Sequence, residues 1–152
     1  MNARRTGFIV NPAAGVGRCR VQWNDLQRSF RQAGNSEKVL FTSRPGEAVG
    51  HAQVLAAECD IVAAVGGDGT IFEVASGIML AGNPRTFMGM VPLGTGNDTA
   101  RLCGIHNAEQ AAAALRGDHT RALDTIQIRC RAEGRDRKSP RLKSSHRIRS
   151  RM

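Results

Sequence analysis

Three glycines in four positions, Gly66, Gly67 and Gly69, surround one aspartate and lead into Thr70. This Gly66-Gly67-Asp68-Gly69-Thr70 turn follows the continuous apolar run Ile61 to Val65. Ile71, Val74, Ala75, Ile78 and Met79 come after it at helical spacing. Glycine tolerates positive φ and lets a ligand approach the backbone closely. A helix starting here offers unbonded N–H groups and the positive end of its dipole, which suits an anion such as phosphate. Asp68 is out of place beside a phosphate, since like charges repel. A magnesium ion between them, held directly or through water, resolves the conflict. A plain strand–helix turn needs only one glycine; three with an aspartate favour a ligand.

A second glycine-rich turn, Pro92-Leu93-Gly94-Thr95-Gly96-Asn97-Asp98, supplies backbone and side-chain donors at another helix start. Asn97 or Asp98 taken singly reads as a helix N-cap. A third turn, Asn11-Pro12-Ala13-Ala14-Gly15-Val16-Gly17, fits neither standard nucleotide fingerprint. It is not GxxxxGK[ST], and Cys19 and Arg20 stand where GxGxxG requires its last glycine. Thr42 and Ser43 end a further apolar run. Glu73 lies on the polar side of its helix, where solvation alone explains it, yet it stands close to the first turn. The four histidines show no triad or metal spacing.

The elements that must position these turns alternate. Strands are predicted over Gly7–Val10, Lys38–Phe41, Ile61–Val65 and Thr86–Val91, and helices over 21–33, 47–58 and 70–80. Shorter helices are predicted over 97–103 and 107–116. Gly34-Asn35 is the expected stop of the first helix. Repeated β-α-β units imply α/β architecture: an open, mostly parallel, Rossmann-like sheet with helices on both faces. In such sheets ligands bind at the carboxyl ends of the strands. Asn11, Thr42, Gly66 to Thr70 and Gly94 to Asp98 all follow strands, so the four clusters should meet on one rim.

The formal charge of +9 is unevenly placed. Residues 129–152 hold ten Lys/Arg against two Asp/Glu, and residues 1–128 hold twelve against eleven. The basic character belongs to the tail, and aromatics at 4 % with no tyrosine count against a base-stacking surface. Nucleic acid is therefore not an expected partner. Residues 121–130 could start another strand, but from Arg131 the chain lacks apolar periodicity and is expected to be disordered. The division is a domain over 1–128 and a basic tail over 129–152. Cys19, Cys59, Cys103 and Cys130 form no CxxC pair and suit a reducing cytoplasm. Apolar runs of about five residues fall far short of the ~20 that span a bilayer.

Asn11-Pro12 with Gly15, then Gly66 to Thr70, then Pro92 to Asp98, resemble in order and spacing the catalytic domain of the diacylglycerol kinase family. That family includes sphingosine kinases, ceramide kinases and bacterial lipid kinases. The resemblance covers roughly residues 6–128. It implies the fold shared by NAD kinases and diacylglycerol kinases, and transfer of the ATP γ-phosphoryl group to a lipid hydroxyl, as in diacylglycerol. It implies ATP and Mg²⁺ as cofactors, with Asn11, Thr42, Gly66, Gly67, Asp68, Gly69, Thr70, Gly94, Thr95, Gly96 and Asn97 lining the ATP site. Asp68 would contact Mg²⁺, directly or through water. A cytoplasmic protein with peripheral membrane contact follows. Family members continue into a second, mainly β domain that carries the general base. This chain stops where that domain should begin, which reads as a truncated or frame-shifted product, so no residue is named as base. Two alternatives stand beside a lipid kinase: an inactive nucleotide-binding fragment, and an NAD-kinase-like enzyme, since NAD kinases share the GGDGT turn.

Overall fold

The computed structural model describes residues 4–31, 37–126 and 146–151, with the side chains of Ser29, Arg31 and 146–151 excepted. Among the described residues the chain runs β1 (Thr6–Val10), α1 (Arg18–Arg31), β2 (Glu37–Phe41), α2 (Glu47–Glu58), β3 (Ile61–Gly66), α3 (Asp68–Ala81) and β4 (Phe87–Pro92). It continues through α4 (Asp98–Leu102), α5 (Ala108–Arg116), β5 (Thr120–Thr125) and β6 (His146–Arg151). The sheet order is β2-β1-β3-β4-β6-β5. The first four strands are mutually parallel, with Val10 beside Phe41 and Val65, and Val65 beside Val91. Their carboxyl ends therefore form one rim.

Side chains alternate between the two faces of the sheet along each strand. Phe8, Ala63 and Gly89 share one register row and hence one face of the sheet. Phe8 packs on Trp23 and Phe30 of α1, with both pairs of ring centroids 4.9 Å apart. Gly89 leaves room for Leu115 of α5, whose Cδ2 would lie 2.4 Å from an added Cβ. Gly7 points the other way and accommodates Leu55 of α2. So α1 and α5 cover one face, and α2 with α3 cover the other. β1 and β3 are wholly buried, which explains their unbroken apolar runs.

The predicted helix 21–33 begins earlier, at Arg18, because a run of positive φ at Gly15, Val16 and Gly17 ends there and releases the chain into the helix. The stop assigned to Gly34-Asn35 lies outside the described residues. The strand expected over 121–130 is β5, Thr120–Thr125. The disorder expected from Arg131 fails at His146–Arg151, which forms β6, antiparallel to β5 and touching β4 at Met88↔Ser150. Strand pairing satisfies backbone N–H and C=O groups whatever the side chains, so an open sheet edge can recruit a basic segment that has no core of its own. Residues 127–145 lie outside the described residues.

Candidate functional site at the sheet rim

The rim turns do meet. Gly67 and Gly94 touch, since a Cβ on Gly94 would lie 2.2 Å from Gly67 Cα. This close approach is the reason for two glycines in two separate turns. Gly15, at φ 61°, sits against Leu93, whose carbonyl oxygen would be 2.7 Å from a Cβ there. Gly66 lies under the Thr70 side chain, with Thr70 Oγ1 2.6 Å from where its Cβ would stand. Asn11 Nδ2 donates to Thr70 Oγ1 at 3.2 Å, and Asn11 Oδ1 accepts from Ala13 N at 3.1 Å. That amide thus ties the end of β1 to the start of α3.

A cleft of about 380 Å³ opens beside this start, lined among others by Asn11, Thr42, Arg44, Gly69, Thr70 and Glu73. Four predicted site residues, Asn11, Thr42, Gly69 and Thr70, are brought together here. The first intrahelical bond of α3 is Ile71 N to Gly67 O at 3.1 Å. The N–H groups of Asp68, Gly69 and Thr70 precede it and have no intrahelical acceptor. Arg44 adds a cation that makes no ion pair among the described residues. Sequence reasoning did not single out Arg44, although a basic residue directly after the Thr42-Ser43 turn was the available signal. A larger cleft of about 530 Å³, lined in part by Gly15, Arg18, Leu93, Gly94, His106 and Glu109, contains only one predicted residue, Gly94. Size and chemistry point to different clefts; the smaller one is lined by Gly69 and Thr70, whose N–H groups lack an intrahelical acceptor, and is the better candidate.

The remaining predicted residues lie on the β4 side. Asp68 Oδ1 accepts from Thr99 N at 2.9 Å and Oδ2 from Asp98 N at 3.2 Å. The Thr99 amide is the main reason the Asp68 carboxyl is held below the ordinary carboxylate range. Asp68 therefore caps α4 from another element. Asn97, expected as an N-cap, makes no capping bond with its side chain. It adopts φ 61° and folds onto Gly94, accepting from Gly94 N at 3.0 Å and donating to Gly94 O at 2.8 Å. Asp98 instead pairs with Arg101 at 3.2 Å. Thr95 and Gly96 are exposed, and Gly96 stands beside Asp68, with Oδ2 3.0 Å from an added Cβ.

The opposite wall of the smaller cleft is also braced by carboxylates. Glu47 accepts from Ser43 N at 2.6 Å and Ser43 Oγ at 2.9 Å, bonds that lower its pKa. Glu73 Oε1 accepts from Gly46 N at 2.9 Å. Among the described residues no group of three or more His, Cys, Asp or Glu side chains is arranged to hold a metal.

The family model of the diacylglycerol kinase catalytic domain matches residues 5–128. The chain is 36 % identical over 129 residues to a diacylglycerol kinase of Bacillus subtilis (strain 168), covering 82 % of this chain and 42 % of that relative. It is 31 % identical over 132 residues to sphingoid long-chain bases kinase 1 of Arabidopsis thaliana, covering 79 % of this chain and 17 % of that one. A crystal structure of a diacylglycerol kinase from Bacillus anthracis str. Sterne superposes with a TM-score of 0.72 at 29 % identity. The alignment covers 82 % of this chain and 46 % of that structure. This chain thus spans about two fifths of the length of its bacterial relatives.

Proposed function

The chain belongs to the family of the diacylglycerol kinase catalytic domain, and on that premise we propose that its smaller rim cleft binds Mg-ATP for phosphoryl transfer to a lipid hydroxyl. The observation that carries this reading is the meeting of Asn11, Thr42, Gly69 and Thr70 around the unbonded N-terminus of α3. Three N–H groups and a helix dipole stabilise phosphate charge without any covalent step, which is what phosphoryl transfer asks of a protein. Arg44 adds positive charge at the same cleft. Gly66, Gly67 and Gly94 keep the turns slim enough to touch, Asn97 locks Gly94, and Thr95 with Gly96 offers exposed backbone donors at the edge.

The residues suit magnesium in one manner. Asp68 keeps lone pairs beyond the two N–H bonds it accepts, and no protein cage surrounds it. Magnesium commonly keeps several waters and takes one or two carboxylates plus phosphate oxygens, so Asp68 would reach it through water. When bound, the ion would neutralise phosphate charge. Residues 1–128 form the nucleotide-binding domain in this reading, and 129–152 a basic extension. No helix among the described residues is long and apolar enough to cross a membrane. We place the domain in the cytoplasm, meeting its lipid at a membrane surface. The reported relatives are named as kinases of diacylglycerol or sphingoid bases, which favours a lipid over NAD as acceptor.

One observation favours a second reading, Mg-ATP binding without turnover. Glu73 is the one carboxylate lining the cleft, and it is bonded to Gly46, so no unengaged base faces the site among the described residues. Calorimetric titration with Mg-ATP, followed by assay of labelled phosphate transfer to diacylglycerol in mixed micelles, separates the two. Binding with transfer supports the kinase reading. Binding alone supports the second, and no binding contradicts both.

A further inference from the structure

We propose that Glu73 is a positioning residue that sets the width of the nucleotide cleft by holding its lip, the turn at Gly46, against α3. The inference rests on the nucleotide reading of that cleft and adds to it a side chain with a specific mechanical role.

Two contacts fix the cleft wall. At its base, α2 and α3 touch at Gly77, where an added Cβ would lie 2.3 Å from Val49 O and 2.6 Å from Ala52 Cβ. This contact fixes the helices but not the loop above them. That loop runs from Thr42, anchored by its N–H to Val10 O at 2.9 Å, through Ser43, Arg44 and Pro45 to Gly46. Glu47, the first residue of α2, braces Ser43 and adds no tie to α3. Gly46 is the N-cap of α2, adopts φ 86° and receives no side-chain cap. Its N–H is taken by Glu73 at 2.9 Å, the one side-chain hydrogen bond that joins this loop to α3 among the described residues.

The charge makes the arrangement informative. An anionic side chain in an anion-binding cleft opposes the ligand unless it is engaged elsewhere. A backbone N–H donor to a carboxylate makes a charge-assisted bond, about twice as strong as a neutral one. Asp68 behaves in the same way five positions earlier, bonding Asp98 and Thr99 on the other flank. α3 therefore extends one carboxylate to each neighbouring loop, and the Glu73 arm carries Thr42 and Arg44.

The test compares Glu73→Ala with Glu73→Gln in the full chain, measuring Mg-ATP affinity and the hydrogen exchange of the Gly46 amide without nucleotide. Glu73→Ala should free the Gly46 amide and raise the Mg-ATP dissociation constant about tenfold, while Glu73→Gln, which keeps an acceptor oxygen, should stay within about threefold of the parent. A purely structural role would lower the melting temperature of both variants and leave affinity unchanged, which would overturn the proposal. Unchanged exchange at Gly46 in Glu73→Ala would also overturn it. If the unsubstituted chain binds no Mg-ATP, the nucleotide reading fails by itself, and Gly46 exchange still decides whether the clamp exists.

Discussion

The loop on the β2 side of α3 and the loop on its β4 side are both polar turns that follow a parallel strand, yet one is open and the other closed. On the β2 side, Thr42 and Arg44 line a cleft and make no side-chain bond among the described residues. On the β4 side, Asn97 folds both amide groups onto Gly94, Asp68 is bonded to Asp98 and Thr99, and Gly94 is pressed onto Gly67. A polar turn at the rim can thus be a ligand surface or an internal brace. What separates them is whether the polar atoms already have partners, because an engaged donor gains little from a ligand.

The contrast is open to several tests. The largest effect should come from Gly94→Ala. Its Cβ would lie 2.2 Å from backbone, which cannot yield as a flexible side chain would. Chemical denaturation should show a loss of about 3 kcal/mol, at the upper end of overpacking costs. A loss near zero would mean the β4 loop is not clamped.

Asp68→Ala should come next, at about 1–2 kcal/mol, the ordinary cost of removing a helix cap. The sign of its pH dependence follows from the lowered pKa. The stabilisation is fully present above the unfolded carboxyl value of 3.8 and is lost as pH falls through the lower folded value. Stability of the parent and of Asp68→Ala should therefore converge in acid; parallel curves would assign Asp68 another role.

Thr42→Ala should behave in the opposite way. Its hydroxyl braces nothing among the described residues, so thermal unfolding should hardly move while Mg-ATP affinity falls several-fold, about the value of one neutral hydrogen bond. A matching loss of stability would make Thr42 a strut and dissolve the contrast.

The smallest effect should be at Val16, a β-branched residue at φ 58° and 88 % exposed. Val16→Gly should raise stability by at most about 1 kcal/mol, since left-handed backbone disfavours L side chains. It should leave nucleotide affinity unaltered.

Much of this architecture was legible in the sequence. The unbroken apolar run Ile61–Val65 and the repeated β-α-β units announced a parallel sheet, and α2 occupies the residues its periodicity specified, Glu47–Glu58. The rim was legible too, because each polar turn directly follows a strand. Which polar atoms face outward was not legible. Asp68 and Asn97 were expected at the ATP site, and no local pattern shows that a carboxylate on α3 also reaches two amides thirty residues away. Glu73 was ambiguous for the same reason, since its partner Gly46 lies 27 positions off. β6 was missed because Arg, Lys and Ser give no strand period, and its pairing depends on an edge supplied by β4 and β5.

Nucleotide is expected to enter the smaller cleft, at the start of α3. Amide chemical-shift mapping during titration of the isotope-labelled chain with Mg-ATP tests it most directly. The largest shifts are expected at Thr42, Gly69 and Thr70, with small ones at Gln22, His106 and Glu109 of the larger cleft. Saturable shifts centred on Gln22, His106 and Glu109, with Gly69 and Thr70 unmoved, would contradict the account.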